Sequence, residues 1–349
     1  MLPPARGLAK TRSVQPGGEQ LNQFLRSLTA SQQVGALFIL VFGVLVLASG
    51  ALLLVSLRER RDDSFGAAFG HELQNLRRLL QNTWFMAGMF WLSWVLGGVV
   101  AIALFAMVAF FSLREFITLS PTHRGDHRSL ILAFFVVLPV QFWLVGGRHF
   151  DLFTVFIPVY VFLALPLVGA LADDPHRFLE RNAKMQWGIM VCVYGTSHVP
   201  ALVRLDIPGY QDKSAFLVFF LVLVVQTCML VQHLAARKLQ RPPRAPHISQ
   251  SFNWSSWAIG VAVGGALGGL LSAITPFKPG QALAMALIAC IAGTAGHLVM
   301  KALKRDRGIT NWGNQGQSIT GATGLLDRVD ALCFAAPIFF HSVRWFFRL

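Results

Sequence analysis

Residues 214–235 read SAFLVFFLVLVVQTCMLVQHLA, with no Asp, Glu, Lys or Arg among them. As a helix rising 1.5 Å per residue, such a run spans roughly 33 Å, enough for the hydrocarbon core of a bilayer. Eight similar runs surround it, at roughly 34–57, 84–111, 130–147, 152–172, 187–203, 257–275, 280–300 and 329–347. They predict an all-α fold, a polytopic transmembrane helix bundle of about nine spans. Composition points the same way. Of the 349 residues 54% are hydrophobic and only 13% charged, against about 25% charged in a globular domain. The mean hydropathy is +0.56. These values exclude an ordinary soluble protein, a disordered chain and a secreted disulfide scaffold. Cys192, Cys228, Cys290 and Cys333 fall inside apolar runs without CxxC spacing, so they read as small buried apolar residues.

The chain divides into a basic and amphipathic N-terminal segment, 1–33, a first set of membrane helices, 34–210, and a C-terminal membrane region, 211–349. The first apolar run is not expected to be a cleaved signal peptide, because 33 residues of mixed chain precede it. Amphipathic surface helices are predicted at 19–32 and 65–83. In the second, Phe69, Leu73, Leu76 and Leu80 share a face opposite Arg78.

Thirty Lys and Arg oppose sixteen Asp and Glu, a net charge of +14. Basic excess in a membrane chain gathers in cytoplasmic loops and meets anionic lipid. No soluble domain is evident to hold nucleic acid, so none is expected as a partner. With the N-terminus and the loops after even-numbered runs on one side, that side holds 19 Lys and Arg and the other 11. This predicts a cytoplasmic N-terminus and cytoplasmic polar loops, in the inner membrane if the source is bacterial. The first loop goes against the rule, with Arg58, Arg60, Arg61, Arg77 and Arg78 on the poorer side. No internal repeat and no pattern of mid-membrane charges supports a transporter or lipid flippase.

Two polar loops stand out, 236–256 and 301–330. The second holds Lys304, Arg305, a Gly-rich middle, then Asp327, Arg328 and Asp330. Backbone N–H groups and cationic side chains in such an order suit phosphate. Lys304, Arg305 and Arg307 also fit plain positive-inside anchors. Asp327 and Asp330 stand three apart, on one helix face at the edge of an apolar run. Ionisable residues so close to the membrane are functional candidates. Trp254, Trp257 and Trp312 are expected as interfacial anchors. His233, His247 and His297 lie in different elements and are expected as interfacial or core histidines.

These loops resemble those of the integral-membrane phosphatidate cytidylyltransferases (CDP-diacylglycerol synthases). That family's signature runs roughly G-D-L-x-x-S-x-x-K-R-D-x-G-x-K-D-x-G, then P-G-H-G-G and D-R-x-D-S. The matching stretch here begins at Gly296. It continues through Lys304-Arg305-Asp306-Arg307-Gly308, Trp312-Gly313-Asn314 and Gly321-Ala322-Thr323-Gly324 to Asp327-Arg328-Val329-Asp330. The family's upstream S-P-x-K-T-W-E-G is similar to Ser249–Ser256, and Leu113-Arg114-Glu115-Phe116 is also family-like. The resemblance implies CTP and phosphatidate as substrates, CDP-diacylglycerol and pyrophosphate as products, and Mg²⁺ as cofactor. It points to Lys304, Arg305, Asp327, Arg328 and Asp330 for catalysis and to Asp327 and Asp330 for the metal. Ser249, Lys301, Arg307 and Arg237 are its expected substrate contacts.

The motif has also lost acids. The G-D-L aspartate falls at His297, the K-D pair at Thr310 and Asn311, the first serine at Lys301 and the H-G-G histidine at Ala322. Upstream, the lysine and glutamate fall at Phe252 and Ser255, and an earlier aspartate at Met229. Mg²⁺ prefers carboxylate oxygen, whereas neutral imidazole suits softer metals. Two functions therefore stay open. One is a cytidylyltransferase in which Lys301 or Arg307 stands in for a metal's charge. The other is a non-catalytic relative that binds an anionic lipid, a nucleotide or a partner enzyme. A homodimer is left open.

Overall fold

The computed structural model describes residues 30–59, 67–120, 123–210, 213–309, 312 and 324–349. Expectations for 1–29, for Thr310, Asn311 and the stretch 313–323, and for the side chains of Phe69, Leu73, Leu76 and Arg78 lie outside the described residues.

Ten long helices carry the fold among the described residues. They are α1 (Ala30–Glu59), α2 (Ala67–Leu96), α3 (Gly98–Thr118), α4 (His127–Gly146), α5 (Phe150–Ala170), α6 (178–203), α7 (Ala215–Leu239), α8 (Trp254–Ile274), α9 (Pro279–Asp306) and α10 (Leu325–Phe347). No strand occurs among these residues; the one isolated bridge joins Ala245 and Ser249. Six helices, α3, α4, α5, α7, α8 and α9, are long and apolar enough to cross a membrane. In α1 and α2 the apolar stretch shrinks to Val41–Leu57 and Thr83–Leu96. The expected count of nine spans is therefore not reproduced.

The expected single span 84–111 is corrected: it is two helices. The chain breaks at Gly97, whose φ of 87° only glycine adopts freely. Hydropathy runs unbroken through this point, so the apolar pattern hides the break. The consequence is topological. Phe38 of α1 meets Phe90 and Trp94 of α2, and Trp84 donates to Ser49, so α1 and α2 run antiparallel. Phe85 lies 5.0 Å beneath the Arg328 guanidinium at the start of α10. The described flanks of the first loop, with Arg58 and Arg77, thus lie at the end of the polar loops, and Ala30 lies at the other.

Local signals place the helix ends. Asn253 caps α8, its Oδ1 accepting from the Ser256 N–H at 2.8 Å. Gly308, with φ of 68°, ends α9 in a left-handed turn. There the N–H groups of Gly308 and Ile309 donate to the carbonyls of Arg305 and Lys304. Short π-helical turns at 133–137, 156–161 and 190–195 interrupt α4, α5 and α6.

The core centres on α10, whose Leu326, Ala335, Ala336, Phe339, Phe340 and Val343 are wholly buried. Around it, small residues let backbones approach. A Cβ at Gly268 would lie 2.2 Å from that of Ala286, and one at Gly296 would lie 2.4 Å from that of Phe334. All four cysteines are free and buried, as their apolar settings predict.

Candidate functional site

The geometry of the site follows from two helix faces. His297, Lys301 and Lys304 stand at i, i+4 and i+7 on α9, hence on one face. Asp327 and Asp330 stand at i and i+3 on α10. The small contact at Gly296 holds the helices close, and the two faces meet. His297 Nδ1 donates to Asp330 Oδ2 at 2.7 Å, and Lys304 Nζ donates to Asp327 Oδ1 at 2.6 Å. Asp330 Oδ1 accepts from the Ala331 N–H at 2.6 Å, and Asp327 Oδ2 from the Trp312 N–H at 2.8 Å. Each carboxylate oxygen has a donor, and each carboxylate a side-chain partner able to bear positive charge.

Lys301 stands between the two pairs in sequence. Its Nζ donates to Ser249 Oγ at 3.5 Å. Ser249 is buried in the loop 240–253, which folds back on itself through the Arg244 N–H donating to the Phe252 carbonyl at 2.8 Å. Lys301 lines a cavity of about 70 Å³ with His297, His233, Gln232, Ser251 and Thr294. This pocket presents one ammonium and two imidazoles among apolar surface that includes Met229, at the loop end of α7 and α9. It offers hydrogen-bond donors for phosphate oxygens.

A further carboxylate fixes the start of α10. Glu115 of α3 is buried, and its Oε1 and Oε2 accept from the N–H groups of Leu325 and Leu326 at 3.0 and 2.9 Å. It satisfies two of the helix's orphan donors and places negative charge at the positive end of its dipole. The N-cap itself, Gly324, has φ of 69° and no side chain to do this.

Of the residues expected at the site, Ser249, Lys301, Lys304, Asp327 and Asp330 are gathered within these two helix faces and the adjoining loop. Of the expected residues only Lys301 lines the cavity itself; Ser249, Lys304, Asp327 and Asp330 flank it through the contacts above, and Arg237, Arg305, Arg307 and Arg328 lie outside them. Arg237 sits in the last turn of α7, and Arg305 is exposed. Arg307 lies 3.5 Å from Asp306, and Arg328 covers Phe85. His233 and His297 had no sequence spacing to unite them, yet they share the cavity. Trp312, expected as an interfacial anchor, is instead buried, with its ring 5.8 Å from that of Phe116.

The Mg²⁺ implied by the resemblance does not fit this arrangement. Lys304 and His297 stand where a cation would meet Asp327 and Asp330. No group of three or more His, Cys, Asp or Glu converges among the described residues. A hard divalent ion that seeks several uncommitted oxygens finds both carboxylates engaged.

Residues 77–346 match the model of the cytidylyltransferase family. The uncharacterized protein YnbB of Escherichia coli is 31% identical over 256 residues, covering 70% of this chain and 80% of that protein. The phosphatidate cytidylyltransferases of Brucella abortus and Brucella suis are each 34% identical over 125 residues, 35% of this chain and 45% of theirs.

Proposed function

This chain belongs to the cytidylyltransferase family, and from that premise we propose that it joins CTP to phosphatidate, releasing pyrophosphate. Its six apolar helices of bilayer length make it an integral membrane protein. We place it in a bacterial inner membrane with the 236–256 and 301–330 loops in the cytoplasm. Beyond residue 97, only Arg148, Arg204, Lys213, Lys278, Arg344 and Arg348 of 21 Lys and Arg belong to the opposite end.

The observation that carries the proposal is the cationic cavity around Lys301. In the proposed reaction a phosphate oxygen of phosphatidate attacks the α-phosphorus of CTP. One P–O bond forms, the bond to the bridging oxygen of the β-phosphate breaks, and pyrophosphate leaves. Negative charge gathers in the transition state, and preorganised cations lower its energy. Lys301 supplies a fixed point charge. Asp330 orients His297, and Asp327 holds Lys304, so neither needs to reorganise when charge develops.

The committed carboxylates favour a second function, a non-catalytic relative that holds an anionic lipid or nucleotide in the same cavity. One assay separates the two. Purified protein in lipid vesicles is given labelled CTP and phosphatidate, with and without Mg²⁺. The proposal expects CDP-diacylglycerol that is lost in Lys301→Ala. No product, together with a rise in melting temperature on adding phosphatidate or CTP, would select the binding role. Neither product nor stabilisation, from folded protein, would overturn both.

A further inference from the structure

A second cavity lies at the opposite end of the molecule. It holds about 360 Å³, within the range of small-ligand sites. Its walls come from the end of α2, the start of α3, Arg148, and the segments 203–206 and 214–215. One side is aromatic, with Phe90 and Trp94, whose rings lie 5.4 and 5.9 Å from Phe38. The other side is polar, with Arg148, Arg204 and Asp206. The cavity borders the first residue of α3 and the turn after α4, two helices able to cross a membrane. That is the level of lipid headgroups.

The charges there do not cancel. Arg148 and Asp206 pair with each other. Among the described residues, Arg204 has no carboxylate partner. Its Nη2 donates to the Gly146 carbonyl at 2.8 Å, while its Nε is buried without a hydrogen-bond partner. A buried, unpaired guanidinium N–H is costly unless a ligand accepts from it. Glycine at 98 leaves open the space beside Arg204: a Cβ there would come 3.5 Å from Nη1. The first turn of α3 has no side-chain cap, so its N–H groups add positive potential. Ser93 and Ser214 donate their hydroxyl protons to the Met89 and Leu205 carbonyls, so they offer lone pairs rather than protons.

We infer that this cavity binds the phosphate group of an amphiphile, with Arg204 as the phosphate donor and the Phe90–Trp94 wall against its apolar part. The position at the end of two spans favours a glycerophospholipid of the leaflet facing this end over a soluble phosphoester. The site is separate from the one around Lys301 and does not depend on the reaction proposed for it.

The test uses delipidated full-length protein in detergent, with melting temperature read against added ligand. The probes are phosphatidylglycerol, diacylglycerol with the same chains, and sn-glycerol phosphate. The Lys301→Ala background silences the other cavity. Phosphatidylglycerol is expected to stabilise the protein saturably, and diacylglycerol is not. Arg204→Gln should raise the half-saturating concentration at least about tenfold, the loss of one charged hydrogen bond. Because Arg204 also holds Gly146, Gly98→Leu serves as a second variant. It fills the space beside Arg204 and should weaken binding while the lipid-free protein stays folded. Equal response to diacylglycerol, or unchanged binding in both variants, would overturn the site. Equal saturation by sn-glycerol phosphate would overturn the lipid as its source.

Discussion

Two paired residues define the chemistry at the scale of single side chains. A histidine at 297 and a lysine at 304 hydrogen-bond the two aspartates of α10, where the resemblance implied a metal. Removing one partner of a buried pair leaves a stranded charge, and that costs on the order of 3 kcal/mol. His297→Ala is therefore expected to lower the melting temperature, and His297→Ala with Asp330→Ala to recover part of the loss. Additive losses in the two single variants would show that the residues do not interact. His297→Asp should instead create a cluster of acids at 297 and 330. It is expected to melt lower without divalent ions and to be stabilised by Mg²⁺, unlike the parent. Glu115 invites a milder change. Glu115→Gln keeps the size but removes the charge at the start of α10, a loss of up to about 2 kcal/mol, measurable by chemical denaturation in detergent. Glu115 stood within a family-like run of sequence, but nothing in that run said which helix it would cap.

Helices α7 to α10 depend on close backbone approach at the scale of elements. At Gly268 the facing atom is the Cβ of Ala286, which has no rotamer to yield. Gly268→Val should part α8 from α9 and cost about 1–3 kcal/mol or more. Gly269 faces open contacts at 3.7 Å and beyond, so Gly269→Ala should be nearly silent. A comparison of the two melting temperatures checks this, and equal losses would refute it. The loops at the motif end have their own clasp. Arg181 reaches Asp126 at 2.9 Å and Asp174 at 2.5 Å. The His176 N–H, with help from Arg181, holds the Asp174 carboxyl below its ordinary 3.8. A depressed carboxylate contributes stability above its unfolded pKa and loses it as pH falls through the folded one. Hydrogen exchange over 171–177 should therefore be flat from about pH 5 to 8, after correction for intrinsic rate. Protection should drop only below about pH 4.

The break at Gly97 redraws the charge map of the whole molecule. It moves the flanks of the first loop to the end that carries the 301–330 loop. Cysteines introduced at Arg77 and Lys238 should then share one accessibility, and one at Lys278 the other. In intact bacterial cells an impermeant maleimide is expected to label only the variant at 278. Lysis should expose the other two. Labelling at 77 together with 278 would restore the unbroken span, and labelling at 77 and 238 in intact cells would invert the proposed orientation. The buried native cysteines should give little background.

The sequence by itself determined the helical, membrane-embedded class, because apolar runs of bilayer length have no other stable outcome in lipid. It also determined the C-terminal turns that carry the site, since Asn253 and Gly308 act through neighbours only a few residues away. His297, Lys301 and Lys304 share a face because α9 runs on to Asp306, through residues that the hydropathy reads as loop. Only the tertiary structure decided what that face meets. Pairing of His297 with Asp330 spans 33 positions, and Glu115 reaches Leu325 across 210. Such contacts depend on which helices lie side by side, and hydropathy is silent on that. The same limit hid the helix break at Gly97. A single left-handed glycine leaves the apolar pattern intact, yet it reverses the direction of everything before it.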